Sequence, residues 1–369
     1  MKRLRRRKNA TKEVVSQMEK RVEEDISADE KVVGYLPTGC TVLNLALSDR
    51  VDGGFGMGKI ANVIGDSSSG KSILALSVFA ECAHNEAFSD YRLIYDEPEQ
   101  ACEFDIERLF GVKTKERIEP PAVDDEGLPL CSETVQDFHA NIHKALDDGR
   151  PFVYILDSLD ALDALEDQKK AEEMIKAREK GTEVAGTYGM AKPKAISWIL
   201  RHIVGRIKRT RSALIIISQT RDNISPVSFA KKTRSGGRAL KFYSTHEMWL
   251  AVSGSIKRKG REVGIHTKIK ITKNKLTGRK EDNVVVPIYR EYGVDDIGAS
   301  IDFLVSEGYW KKRGQKIVAR DFELEVTRKK LIREIEEKEL KGELDKIVGN
   351  VWAEICEALR LDRKPKYGR

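Results

Sequence analysis

The chain has 369 residues, 34% charged and 40% hydrophobic, with a formal net charge of +7. That length holds one large domain with appendages or two domains, and no apolar run is long enough to cross a bilayer. Its five cysteines (Cys40, Cys82, Cys102, Cys131, Cys356) are scattered, odd in number and never in C-x-x-C spacing, which supports neither a zinc site nor a disulfide framework and fits reduced thiols in a cytoplasmic protein.

The first residues, Lys2 to Lys8, are basic but lack the apolar stretch of a secretory signal, and the acidic region from Glu19 to Glu30 argues against an organellar presequence. Thr11 to Ile26 reads as an amphipathic helix with Val14, Val15, Met18 and Val22 on one side. Its stripe is too short to be stable alone, so it is expected to pack on an adjacent core, in a coiled coil or within the chain. Leu36-Pro37-Thr38-Gly39 breaks the pattern and opens the globular part.

Lys59 to Ile64 predicts a short buried strand. The following run, Gly65-Asp66-Ser67-Ser68-Ser69-Gly70-Lys71-Ser72, fits G-x-x-x-x-G-K-[ST], a phosphate-binding loop, without a mismatch. Ile73, Leu74, Leu76, Val78 and Phe79 then supply the apolar side of a helix. In such a loop the glycines turn backbone N–H groups toward phosphate oxygens, and the helix N-terminus adds a favourable dipole. Lys71 is expected to reach the β- and γ-phosphates and Ser72 to ligate Mg²⁺. A nucleoside triphosphate is the expected ligand.

Tyr91 to Tyr95 predicts a strand, followed by the acidic cluster Asp96-Glu97-Pro98-Glu99. Hydrolysis needs a carboxylate to orient and deprotonate water, and spacing alone does not choose among these. Val135 to Leu146 reads as a helix and Phe152 to Leu156 as a continuous apolar strand. Asp157, at the end of that strand, is placed to organise Mg²⁺ through water. Between Asp160 and Lys194 lies a charged, partly helical insertion in which Gly181 to Gly189 has loop composition. Ile196, Ile199, Leu200, Ile203 and Ile207 recur at helical spacing.

Ala213 to Ile217 is another buried strand, ending in Ser218-Gln219, a position suited to sensing the γ-phosphate. A long polar loop from Thr220 to Gly237 comes next. If Gln219 bonds the γ-phosphate, that loop can be ordered only while the triphosphate is intact. From 206 to 241 the chain carries Arg206, Lys208, Arg209, Arg211, Arg221, Lys231, Lys232, Arg234, Arg238 and Lys241 against a single acid, Asp222, which suggests a polyanionic partner. Beyond Ile297 short amphipathic helices are expected (Ile301 to Glu307, Thr327 to Leu340, Leu344 to Leu359), then the basic tail Arg360 to Arg369. Apolar strands alternating with helices predict an α/β fold with a mostly parallel sheet covered on both faces.

From about Leu36 to Gly314 these residues resemble the RecA-type recombinases. The resemblance rests on the phosphate loop, on Glu97-Pro98-Glu99-Gln100-Ala101-Cys102-Glu103 running to Leu109-Phe110-Gly111, and on Ile155-Leu156-Asp157-Ser158. It also rests on Ile216 to Arg221, on Ser235-Gly236-Gly237-Arg238-Ala239-Leu240-Lys241-Phe242-Tyr243 and on Lys273-Asn274-Lys275. It implies a catalytic role for Glu99, an adenine contact at Glu103, a γ-phosphate sensor at Gln219 and, from Lys273 and Lys275, contact with a neighbouring subunit's ATP. Ile106 stands where the family usually has an aromatic beside adenine. Two DNA loops are implied, within about 160–194 and 220–237. The first ends near Tyr188, Gly189 and Met190; the second carries Arg221, Asn223, Ile224, Lys231, Lys232 and Arg234, with Gly236, Gly237 and Arg238 at its close. Tyr188 and Ile224 would insert between bases, and Arg221 would touch phosphate.

The resemblance further implies a DNA-dependent ATPase using ATP and Mg²⁺, a helical homo-filament on single-stranded DNA, pairing with double-stranded DNA, and no membrane. The expected division is a basic arm and polymerisation helix (1–32), a RecA-like ATPase core (33–296) and a small α-rich C-terminal domain (297–369). The charged stretch Glu166 to Lys180 and the basic tail depart from the family pattern and favour a divergent, phage-encoded member over a cellular housekeeping copy. The rival readings are a hexameric helicase on the same core and a regulatory paralogue without catalysis.

Overall fold

In the computed structural model the described residues are 34–100, 104–123, 125–126, 129–179, 191–222, 232–234, 237–363 and 367. The expected N-terminal helix lies outside them. The elements from Tyr35 onward belong to one compact unit.

A two-residue ladder, β1 (Tyr35–Leu36) with β2 (Phe55–Gly56), brackets helix α1 (Thr41–Ser48). The centre of the molecule is a nine-stranded sheet. Its parallel part is built from β3 (Ile60–Gly65), β4 (Arg92–Asp96), β5 (Phe152–Leu156), β6 (Ala213–Asp222) and β8 (His246–Arg258), in the spatial order β8-β3-β6-β5-β4. Every residue of β3 and β5 is buried, because helices cover both faces. Side chains alternate across the sheet. Ile215 and Ile217 pack with Leu76 and Phe79 of α2 (Lys71–His84), whereas Leu214 and Ile216 pack with Ile199 and Ile203 on the other side. The short helices α3 (Ile106–Phe110) and α4 (Val112–Arg117) follow β4. Helix α5 (Val135–Asp147) precedes β5 and starts at a reciprocal cap between Thr134 and Asp137.

The charged insertion contains α6 (Leu165–Glu179), and α7 (Ala191–Arg209) leads into β6. The expected polar loop over 220–237 is shorter than its composition suggested. Strand β6 continues through Asp222 and pairs antiparallel with β7 (Lys232–Arg234), so the segment has a hairpin base. Polar side chains do not stop a strand whose backbone has a partner. Helix α8 (Gly237–Tyr243) then closes the segment.

Beside β8 the sheet turns antiparallel, through β9 (Arg261–Asn274), β10 (Glu281–Tyr289) and β11 (Gly293–Val294). After α9 (Asp296–Ser306), where short helices alone were expected, a three-stranded sheet of β12 (Lys311–Arg313), β13 (Lys316–Ala319) and β14 (Leu324–Thr327) precedes α10 (Arg328–Glu337) and α11 (Lys341–Ala358). Trp310, Ile317, Leu331 and Leu344 share one apolar cluster with Leu36, Leu43 and Phe79.

Candidate nucleotide site and the strand that leaves it

In the parallel register Gly65 lies opposite Gln219 and Leu250, and Asp96 lies opposite Leu156. The carboxyl ends of β4 and β5 are level with each other, while β3 runs three residues further beside β6, which continues past it. Asp66, Glu97 and Asp157 leave the sheet, and Thr220 continues β6, on the side where open α/β folds bind ligands.

The loop after β3 has backbone demands that glycine alone meets. A Cβ on Gly65 would stand 2.5 Å from Ser69 Oγ and 2.7 Å from the Leu250 carbonyl oxygen. Gly70 caps α2 in the left-handed region at φ +89°, where a Cβ would come within 2.6 Å of Ile288 Cδ1. The Asp66 carbonyl accepts from Ser69 Oγ at 2.8 Å and from Lys71 Nζ at 2.7 Å. Thr267 Oγ1 donates to the Ser69 carbonyl at 3.0 Å, tying the loop to β9. A cavity of about 720 Å³ opens over residues 67–73, reaching Glu97, Glu99 and Asp157 and also Phe104, Tyr289 and Arg290.

The acidic groups sort themselves by contact. Asp96 is buried and fully engaged: Ser132 N and Oγ donate to it at 3.0 and 2.6 Å, and the Tyr154 hydroxyl donates at 2.5 Å. It is a structural carboxylate. Glu99 Oε1 instead accepts from Ser158 Oγ at 2.6 Å and from Gln219 Nε2 at 2.9 Å. Asp157 accepts from the Tyr95 hydroxyl at 3.1 Å and from the Ser72 hydroxyl, and burial pushes its carboxyl up from the usual range. Burial pulls the Lys71 ammonium down, opposed by the charges of Asp157, Glu99, Asp66 and Asp160. Four acids around one lysine make the site net negative, so a polyphosphate needs a counter-cation there.

Ser72 and Asp157 fit that cation. They offer one hydroxyl and one partly desolvated carboxylate, hard oxygen donors that suit Mg²⁺ and leave its remaining positions to phosphate and water. Gln219 also donates its backbone N–H to Asp160 Oδ2 at 2.6 Å, and Thr220 Oγ1 donates to Asp66 Oδ1.

The structure thus brings together the loop residues 65–73, Glu99, Asp157 and Gln219. Lys273 and Lys275 lie elsewhere in the protomer. Their Nζ atoms donate to the carbonyls at the end of α8, Lys273 to Lys241 and Phe242, and Lys275 to Phe242 at 3.1 Å. Lys275 also sits over the Phe242 ring. Arg238 lies exposed on α8, directly after Gly237. Of the strand residues Arg221, Lys232 and Arg234, the backbone is placed in the hairpin base. Glu103, Tyr188, Gly189, Met190, Asn223, Ile224, Lys231 and Gly236 lie outside the described residues. Ile106 opens α3 and does not reach the cavity, whereas Phe104, two positions earlier, does.

Sequence reasoning passed over Ser158, Tyr95, Asp160 and Thr220. Each sits at or within four residues of a strand end, and its role depends on a partner from in or just beyond another strand. No spacing rule signals that.

A family model described as the RecA N-terminal domain matches residues 155–294. Protein RecA of Syntrophus aciditrophicus (strain SB) is 27% identical over 292 residues, covering 78% of this chain and 76% of that protein. The chain is thus similar to RecA proteins over these residues. The matched RecA segment begins in β5 and ends in β11, and it contains Asp157, Gln219 and the Lys273–Lys275 pair.

Proposed function

We propose that this RecA-type chain is an ATP- and Mg²⁺-dependent enzyme that forms filaments on single-stranded DNA and promotes homologous pairing and strand exchange. The observation that carries the reading is the 2.9 Å bond from Gln219 Nε2 to Glu99 Oε1. It joins the candidate base to the residue from which the basic segment departs.

In this reading the backbone of residues 65–72 cradles the phosphates, and Lys71 leaves the Asp66 carbonyl for a phosphate oxygen. Glu99 accepts a proton from the attacking water, held in orientation by Ser158. Ser72 and Asp157 would hold Mg²⁺, which would supply neutralisation of phosphate charge. Gln219 then has two acceptors to choose between, Glu99 and the γ-phosphate, and its choice is passed along β6. Lys273 and Lys275, set apart from the protomer's own cavity, supply charge to the neighbour's nucleotide across the filament seam. Arg221, Lys232, Arg234 and Arg238, with the rest of the second loop, contact the DNA backbone, and a cytoplasmic place of action goes with this reading. Among the described residues no helix is long and apolar enough to cross a membrane.

The test compares ATP turnover with and without single-stranded DNA for the wild type, Lys71→Ala and Glu99→Gln. Both variants are expected to lose at least about 100-fold in turnover. Glu99→Gln keeps ATP-dependent DNA binding, whereas Lys71→Ala does not. Closed rings rather than filaments in electron micrographs with an ATP analogue and DNA would overturn the assembly in favour of a helicase.

A further inference from the structure

Asp66 does two jobs with two different groups. Its carbonyl holds the ammonium of Lys71 at 2.7 Å and the hydroxyl of Ser69 at 2.8 Å, closing the phosphate loop on itself. Its carboxylate accepts from Thr220 Oγ1. Thr220 is the first residue of the hairpin base, opposite Arg234, with Arg221 opposite Thr233 and Asp222 opposite Lys232. The contact is possible because Gly65 and Gln219 are register partners, so Asp66, the first residue after β3, lies beside Thr220 of the adjacent parallel strand β6. Residues 219 and 220 are thereby bonded to three separate segments, through Glu99, Asp160 and Asp66.

We propose that the Thr220–Asp66 bond is a latch of the nucleotide-free protein, holding the root of the basic hairpin against the phosphate loop until a triphosphate displaces it. The inference rests on the function proposed above. The physical reason is competition. A phosphate oxygen is a stronger partner for Lys71 than a neutral carbonyl, and taking the lysine removes one of the bonds that set the position of Asp66. Phosphate also brings negative charge beside the Asp66 carboxylate, which raises the energy of the arrangement. With the latch open, Thr220 and the strand it begins can move with the γ-phosphate contact of Gln219. With it closed, the backbone of β6 at Thr220 is held in a geometry set by the phosphate loop rather than by DNA. Thr220 is thus a positioning residue for the basic segment, acting through Asp66.

The experiment measures affinity for a labelled single-stranded oligonucleotide by fluorescence anisotropy, using the full chain. It is run without nucleotide and with a non-hydrolysable ATP analogue and Mg²⁺. A hydrogen bond to a carboxylate is worth about tenfold in an equilibrium. Thr220→Val is therefore expected to raise nucleotide-free affinity about tenfold and leave analogue-bound affinity unchanged. Thr220→Ser, which keeps the hydroxyl, behaves as the wild type. Should Thr220→Val not fold, Thr220→Ala carries the same test, because it too removes the hydroxyl, and the same rise in the nucleotide-free state is expected. Nucleotide-free affinity that is unchanged or reduced, or an equal shift in both states, overturns the latch. A wild type that grips DNA equally with and without the analogue overturns the underlying function instead.

Discussion

Asp96 and Glu99 stand three positions apart in one acidic run, and the fold gives them opposite fates. Asp96 ends a buried strand and spends its lone pairs on Ser132 and Tyr154, while Glu99, one turn further out, faces Ser158 and Gln219. The run was legible in the sequence as a source of the base. Which carboxylate stayed available depended on Tyr154 and Ser132, far off along the chain. A second residue with a measurable consequence is His246, fully buried at the start of β8 beside the Phe55 ring. Burial pulls its imidazole down to about 4 from an ordinary value of 6.5. The unfolded chain takes up a proton near its ordinary value, whereas the folded chain refuses one until about pH 4. The stability it contributes is therefore complete above roughly pH 6.5 and is lost as pH falls toward 4, up to about 3 kcal/mol. Urea midpoints at pH 7 and pH 5 should show that loss in the wild type and a flatter response in His246→Leu. An equal slope in both would remove His246 as the cause.

The elements that were read correctly are those whose pattern is self-sufficient. β5 and the first half of β6 are unbroken apolar runs, and β3 is apolar but for the buried Asn62, a composition that suits strands covered on both faces. The antiparallel strands were less legible because one face meets solvent. In β9, exposed Lys268 and Lys270 alternate with buried Ile269 and Ile271, so average hydropathy hides the strand. The three-stranded sheet after α9 escaped for the same reason: β12 is exposed throughout and β14 alternates. What anchors that sheet is Trp310, 1% exposed, whose Nε1 donates to Asp321 Oδ2 at 2.7 Å. Trp310→Ala removes a large buried side chain and leaves Asp321 without this partner, an expected loss of about 3–5 kcal/mol. Because Trp310 shares its cluster with Leu36 and Phe79, the loss is expected to lower one common unfolding transition. Two separate transitions in urea, followed by tryptophan fluorescence and circular dichroism, would contradict that coupling.

Across the whole molecule, charge is segregated rather than balanced. Acids gather around Lys71 at the sheet's carboxyl end, while ten cations against one acid occupy residues 206–241. If about four of those cations neutralise phosphates, single-stranded DNA affinity should fall roughly fifty-fold between 50 and 200 mM salt. Titrations at the two concentrations check it, and a flat response would exclude the basic block as the DNA surface. The sequence by itself determined the glycine-bounded loop at 65–70, the apolar strands of the parallel core and the basic block, because each is written in consecutive residues and needs no distant partner. Only the tertiary structure decided that Asp96 is spent on Ser132 and Tyr154, that Ser158 and Tyr95 brace the acids, that Phe104 rather than Ile106 reaches the cavity, and that Asp66 meets Thr220. Those pairings join residues up to 154 positions apart. They exist only because parallel register sets the ends of separate strands side by side, and that register belongs to the assembled sheet, not to any one stretch of chain.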